Sequence, residues 1–173
     1  MKKIVFVLVL FTTTLAMAQK NIYESIRFDE YTEDHEILAI IPFIAHLELK
    51  KAVDKDELSV LAQKEGYAVQ NALETYFSKR KKRKKFNVDF QNIMNTNAIL
   101  AQNGIEYNNI DTFTTQELCD ILKVDGIISG NLNLNILLSE GVPTDFSLFD
   151  YFSGDANYGR IGVKISDGET GKL

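Results

Sequence analysis

Two histidines, one cysteine and 24 carboxylates are the residues of this 173-residue chain that could carry acid–base, nucleophilic or metal chemistry. A zinc centre needs His and Cys ligands at recognisable spacing, and His35, His46 and Cys119 have none. A nucleophile and its histidine meet in space, not in sequence, so spacing alone neither makes nor excludes such a pair. His35 sits in the acidic stretch YTEDHE and reads as a surface residue. His46 follows an apolar run and reads as a loop residue with a structural role. Cys119, beside Leu118 in a helical pattern, has the setting of a buried, inert thiol rather than a nucleophile. The glycines match neither GxGxxG nor GxxxxGK followed by Ser or Thr, so no phosphate loop is expected. No pair of carboxylates is marked out by an apolar setting in both members. No catalytic, cofactor or metal site is expected on these grounds.

Two other stretches have the chemistry of binding. Lys79, Arg80, Lys81, Lys82, Arg83, Lys84 and Lys85 form an unbroken basic run in a chain of net charge −5. Such a run suits nucleic acid, an anionic membrane surface or an acidic partner. It also suits the solvated end of a long helix, where cations favour the macrodipole. The second stretch, Ser139 to Gly159, holds Phe146, Phe149, Tyr151, Phe152 and Tyr158 among four acidic residues. A loop of that length is uncommon in a compact domain and is often functional. Its aromatic residues could touch a membrane or a partner, or fold back and close a small core.

The elements that would position these groups follow from periodicity. Ile37 to Phe43, ILAIIPF, is a continuous apolar run that reads as a buried strand stopped by Pro42. Asp54 to about Lys79 reads as a long helix, with Asp54 and Glu57 as a capping box and Leu58, Leu61, Ala62, Val69, Ala72, Leu73, Tyr76 and Phe77 on one stripe. Gly66 within it marks either close approach to the sheet or a bend. Phe86 to Asp89 reads as a short strand and Gln91 to Gln102 as a helix ended by Asn103-Gly104. Tyr107 to Thr112 reads as a loop, and Thr114 and Glu117 cap one further short helix. The segment from Val124 onward begins as a buried strand, GIISG, and then alternates, with Leu132, Leu134 and Ile136 opposite Asn131, Asn133 and Asn135. That change suggests a strand leaving a buried sheet for an edge or a hairpin. Arg160 to Ser166 alternates likewise, and the two are expected to pair antiparallel. The expectation is an α/β fold: a single mixed sheet packed by two to three helices, with a C-terminal antiparallel hairpin.

The first residues stand outside that fold. Lys2 and Lys3, the apolar run Ile4 to Leu10 and Ala16-Met17-Ala18 make residues 1–18 a secretory signal peptide. The run is too short to span a bilayer, and no later segment is apolar for long enough. Residues 19–36 form a polar lead-in with room for a short strand, and 37–173 form the α/β domain. The chain stops at Leu173 as another strand starts, so it reads as truncated there or as leaving a last sheet edge open. Hydrophobic residues at 45% and charged residues at 25% are ordinary for a globular domain. A single cysteine excludes an internal disulfide, and its distance from the cleavage site leaves none to carry a lipid. Export places the product in the periplasm or outside the cell and argues against a nucleic-acid partner.

ILAIIPF, the helix after it, FNVDF, ILKVDGIISGNL and the closing SDGETGKL together resemble a bacterial envelope pattern. It is the α/β domain shared by the curli-secretion protein CsgG, the penicillin-binding-protein activator LpoB and the amino-terminal domain of TolB. TNAILAQNGI and the Ser139-Glu140-Gly141 region resemble uncharacterised exported members of that group. The resemblance spans roughly Ile37 to Leu173. It implies a non-catalytic domain that docks on an envelope protein or an anionic envelope surface, with no shared catalytic residues to carry over. The chain departs from CsgG and LpoB in lacking a lipid-bearing cysteine, and it shows no barrel-forming hairpins. The expected role is therefore an exported interaction domain that assists envelope assembly or maintenance, binding through the basic run and Phe146, Phe149, Tyr151 and Phe152. Two other roles remain open on the sequence: a secreted hydrolase with its site near residues 139–159, and a small-ligand or lipid carrier, which would need a sizeable apolar cavity.

Overall fold

The computed structural model describes residues 26–49, 53–81, 88–135 and 159–172. Residues 1–18, expected to be a signal peptide, Lys82 to Lys85, the start of the FNVDF segment and the aromatic stretch with Phe146, Phe149, Tyr151 and Phe152 lie outside the described residues.

Among the described residues, four helices and five strands are formed in the order α1 (Phe28–Thr32), β1 (Ile37–Ile40), β2 (Ile44–Leu47), α2 (Lys55–Lys81), β3 (Asp89–Phe90), α3 (Ile93–Gln102), α4 (Thr115–Leu122), β4 (Gly126–Leu134) and β5 (Gly159–Asp167). One short 3-10 turn, Ile110–Thr112, falls in the stretch expected to be a loop. The lead-in carries α1 where a strand had room to form. All five strands belong to one sheet, in which β1 pairs with β3 and β4, and β2 pairs with β4, all parallel. The alternating stretches of β4 and β5 pair antiparallel from Gly126↔Asp167 to Leu134↔Gly159. They do not make a separate C-terminal hairpin, because β5 is bonded to β4 over its whole length inside the sheet. Of the four described helices, three pack on that sheet, α2, α3 and α4, and α1 precedes it. The sheet is mixed because β5 alone runs against the others.

β4 is the centre of this arrangement rather than an edge. β5 occupies one side of it, while β1 and β2 lie end to end along the other. β1 ends before Pro42, but the chain resumes as β2 beside the same neighbour. Pro42 sits at a bulge: Ile40 faces Ile128, yet Ile44 faces Asn131, so three residues on one strand span two on the other. Pro42 has no N–H to offer β4. The Phe43 N–H turns away as well and donates to Gly66 O on α2 at 3.4 Å. The extra residue also exchanges the two faces of the strand. Before it Leu38 and Ile40 face α2; after it Phe43 and Ala45 do. His46 is thereby turned to solvent on β2, not placed in a loop.

Helices cover both faces. α2 lies over Leu38, Ile40, Phe43, Ile128, Leu132 and Leu134, contributing Val69 and Leu73. α3 and α4 cover Ala39, Ile41 and Ile127 on the other face with Leu100, Leu118 and Leu122. Each fully buried Leu, Ile or Phe side chain contributes about 1.5 to 3 kcal/mol of transfer free energy. Gly66 lets α2 pass unbroken across the bulge: a Cβ there would lie 2.1 Å from Phe43 O. The helix is continuous from Lys55 to Lys81, and close approach to the bulge is the glycine's reason. α4 begins with the expected capping box between Thr114 and Glu117 and ends at Lys123 with φ 58°. Among the described residues, no helix is long and apolar enough to cross a membrane.

Candidate functional site

His35 is not a surface residue. The turn after α1 brings it under the end of β5, where its Nε2 lies 2.9 Å from Asp167 Oδ1 with both side chains buried. Asp167 is held from several sides, since Thr170 donates to its Oδ2 through both Oγ1 and the backbone N–H. Burial pushes the Asp167 carboxyl up, but the hydrogen bonds from Thr170, His35 and the Glu169 backbone together hold it below its ordinary value. A histidine beside a carboxylate is two-thirds of a catalytic triad. Thr170 does not supply the third part, because its hydroxyl donates to the carboxylate rather than to the imidazole. The nearby Cys119 thiol is buried, and burial first, then Asp167, Asp120 and Asp125, push it up to about 12. A thiol held protonated is no nucleophile at neutral pH. The pair ties two ends of the domain together.

The described residues form a shallow cleft of about 120 Å³ elsewhere, lined by Pro42, Gln63, Tyr67, Asn97, Glu106 and Tyr107 among others. That is small against the roughly 300 to 1,000 Å³ of ordinary ligand sites. Two of its polar side chains, Tyr107 and Asn97, are engaged within the fold. Tyr107 Oη accepts from Ala45 N at 2.8 Å and donates to Ala62 O at 3.0 Å. Burial pushes the Tyr107 phenol up, opposed by the bond from Ala45. Asn97 and the buried Gln70 exchange amide hydrogen bonds at 3.0 Å each, and Gln70 also donates to Ile40 O. Among the described residues no group of three His, Cys, Asp or Glu side chains could hold a metal ion.

The described part of the basic run ends α2. Lys79 is exposed, Arg80 stacks over Tyr76 at 4.0 Å, and Lys81 pairs with Asp89 at the start of β3. Arg80 thus keeps its charge at the surface on an aromatic support, while Lys81 is partly neutralised. A second cationic feature escaped the sequence reading. Arg160 and Lys164 project from β5 on the face opposite Ile161, Val163 and Ile165, and register sets them beside Asn133 and Ser129 of β4. The exposed His46 lies on that face too, opposite Asn133. The polar half of the alternation in β5 carries this signal. α3 and α4 are ten and eight residues long and cover only the start of β4, so this outer part of the face stays polar and exposed.

Comparison with protein-family models, with curated proteins and with solved structures finds no match to this chain.

Proposed function

We propose that the chain is an exported, non-catalytic interaction domain of the CsgG, LpoB and TolB kind that docks on cell-envelope components. The observation that carries the reading is the parallel pairing of Leu38–Ile40 with Gly126–Ile128. It sets the two motif strands of that resemblance side by side, with a helix layer on each face. The topology adds a second support. β3 and β4 flank β1, so the carboxyl ends of β1 and β4 form the reversal point where open α/β sheets bind ligands. Here β1 runs on through the bulge as β2 and stays bonded to β4, with Phe43 buried beneath, so chain fills the usual crevice. Such a body offers surface rather than a pocket, and the basic end of α2 is the part of that surface named first. The partner is an envelope protein or an anionic envelope surface, not nucleic acid.

Expression of the whole chain with a C-terminal tag, followed by fractionation, tests the first half. Recovery outside the cytoplasm with the leader removed supports export; a cytoplasmic chain with residues 1–18 retained defeats it. Neutralising Lys79 to Lys85 should then weaken capture of envelope components in a salt-dependent way. Unchanged capture would remove the basic run from the reading.

A further inference from the structure

The outer edge of β5 has an orientation that its hydrogen bonds define. Asp167 N donates to Lys172 O at 2.8 Å, and Asp167 O accepts from Gly171 N at 2.9 Å. The main chain of Asp167 therefore faces away from β4, whereas Gly168 N bonds to Asp125 O on the β4 side. Main-chain direction alternates along an antiparallel strand. It follows that Ile161, Val163 and Ile165 present their N–H and C=O groups outward, while Arg160, Gly162 and Lys164 bond to β4. No strand lies on that edge among the described residues. Side chains divide in the same regular way. Ile161 and Ile165 pack on the core under α2, with Val163 38% exposed between them. Arg160 and Lys164 stand exposed on the opposite face.

We infer that this edge receives an extended polypeptide in which apolar and acidic side chains alternate, added as a further strand beside β5. The inference rests on the reading of the chain as an interaction domain but uses a surface that reading does not name. Main-chain pairing to Ile161, Val163 and Ile165 supplies attachment, and the two side-chain rows supply specificity. An apolar row continues the Ile161–Val163–Ile165 face, and carboxylates meet Arg160 and Lys164. Charge also argues against a second copy as the occupant. Two-fold pairing about Val163 would gather Arg160 and Lys164 of both copies on one face, whereas an acidic strand is attracted there.

The test uses the full chain and a labelled, end-blocked peptide of alternating Glu and Val, about seven residues long so as to span the edge. Binding should be salt-sensitive, and amide exchange should slow at Ile161, Val163 and Ile165 but not at Gly162 or Lys164. The double charge reversal R160E/K164E should weaken binding by about tenfold or more. Val163→Pro removes the central outward donor and should abolish binding. If V163P no longer unfolds cooperatively, the charge-reversed chain decides the matter alone. Equal binding of a Lys/Val peptide, or binding without protection of the three amides, overturns the inference. So does a free chain that sediments as a dimer with those amides already protected. Envelope capture that survives V163P and still needs Lys79 to Lys85 would sink this inference alone. Peptide binding by a chain that is never exported would sink only the envelope reading.

Discussion

Alanine is normally the better residue inside a helix, by about 1 kcal/mol over glycine. At Gly66 the sign reverses. The added Cβ would lie 2.1 Å from Phe43 O and 2.6 Å from the Tyr107 ring. The first neighbour is backbone at a bulge, bonded onward to β4 at both ends, and it has little room to retreat. Overpacking of this kind costs roughly 1 to 3 kcal/mol. Gly66→Ala should therefore lower the urea midpoint despite its helix propensity, and an unchanged or raised midpoint would show that α2 can slide. Tyr107 makes a related case through polarity rather than volume. Its hydroxyl satisfies Ala45 N on β2 and Ala62 O on α2. Tyr107→Phe keeps the ring and strands both groups, for a loss of about 1 to 3 kcal/mol. Equal stability of Y107F in equilibrium unfolding would mean that water replaces the hydroxyl without cost.

Among the elements, α4 has the most local determination. Thr114 Oγ1 accepts from Glu117 N while Glu117 reaches back to Thr114 N, closing both ends of the box. Thr114→Ala should cost about 1 kcal/mol, and Thr114→Ser much less, by thermal or urea unfolding. This box, the span of α2 and the strand character of Ile37–Ile40 and Gly126–Gly130 were legible because each rests on neighbours a few residues away. The bulge was not. Pro42 carries the same local signal whether a strand ends or steps sideways, and only the register with β4 separates the two. His46 was misplaced for that reason: without the extra residue it would face α2, and with it the side chain faces water. β4 was read as leaving the sheet because Asn131 and Asn133 alternate with Leu132 and Leu134. Alternation reports that one face is wet, not that an edge is free, and both edges of β4 are paired.

Across the whole molecule, the described ends are joined by a contact no local pattern announces. His35 and Asp167 stand 132 positions apart. YTEDHE reads as surface and SDGETGK as a turn, so neither side predicts the other. Their meeting holds the entry to β1 against the exit from β5, and the Asp125 carboxylate accepts from Glu36 N and Ile37 N at 2.8 Å each. The acid response of the fold follows from this junction. Burial alone would raise the Asp167 carboxyl, but the donors from Thr170, His35 and Glu169 lower it below its unfolded value. A depressed carboxylate contributes stability above its unfolded pKa, about 3.9, and loses it as pH falls through the folded value. The Asp167→Asn chain keeps the shape but cannot accept as a carboxylate from His35 and Thr170 together. It should be less stable than the parent near neutral pH, by about 1 to 3 kcal/mol. That gap should begin to narrow as the pH falls below about 4, where the unfolded parent takes up its proton, and close as the pH falls through the lower folded value. Urea titrations of both chains from neutral pH downward measure the gap directly. A gap that stays constant to the acid end would mean that Asp167 holds the junction by shape and not by charge.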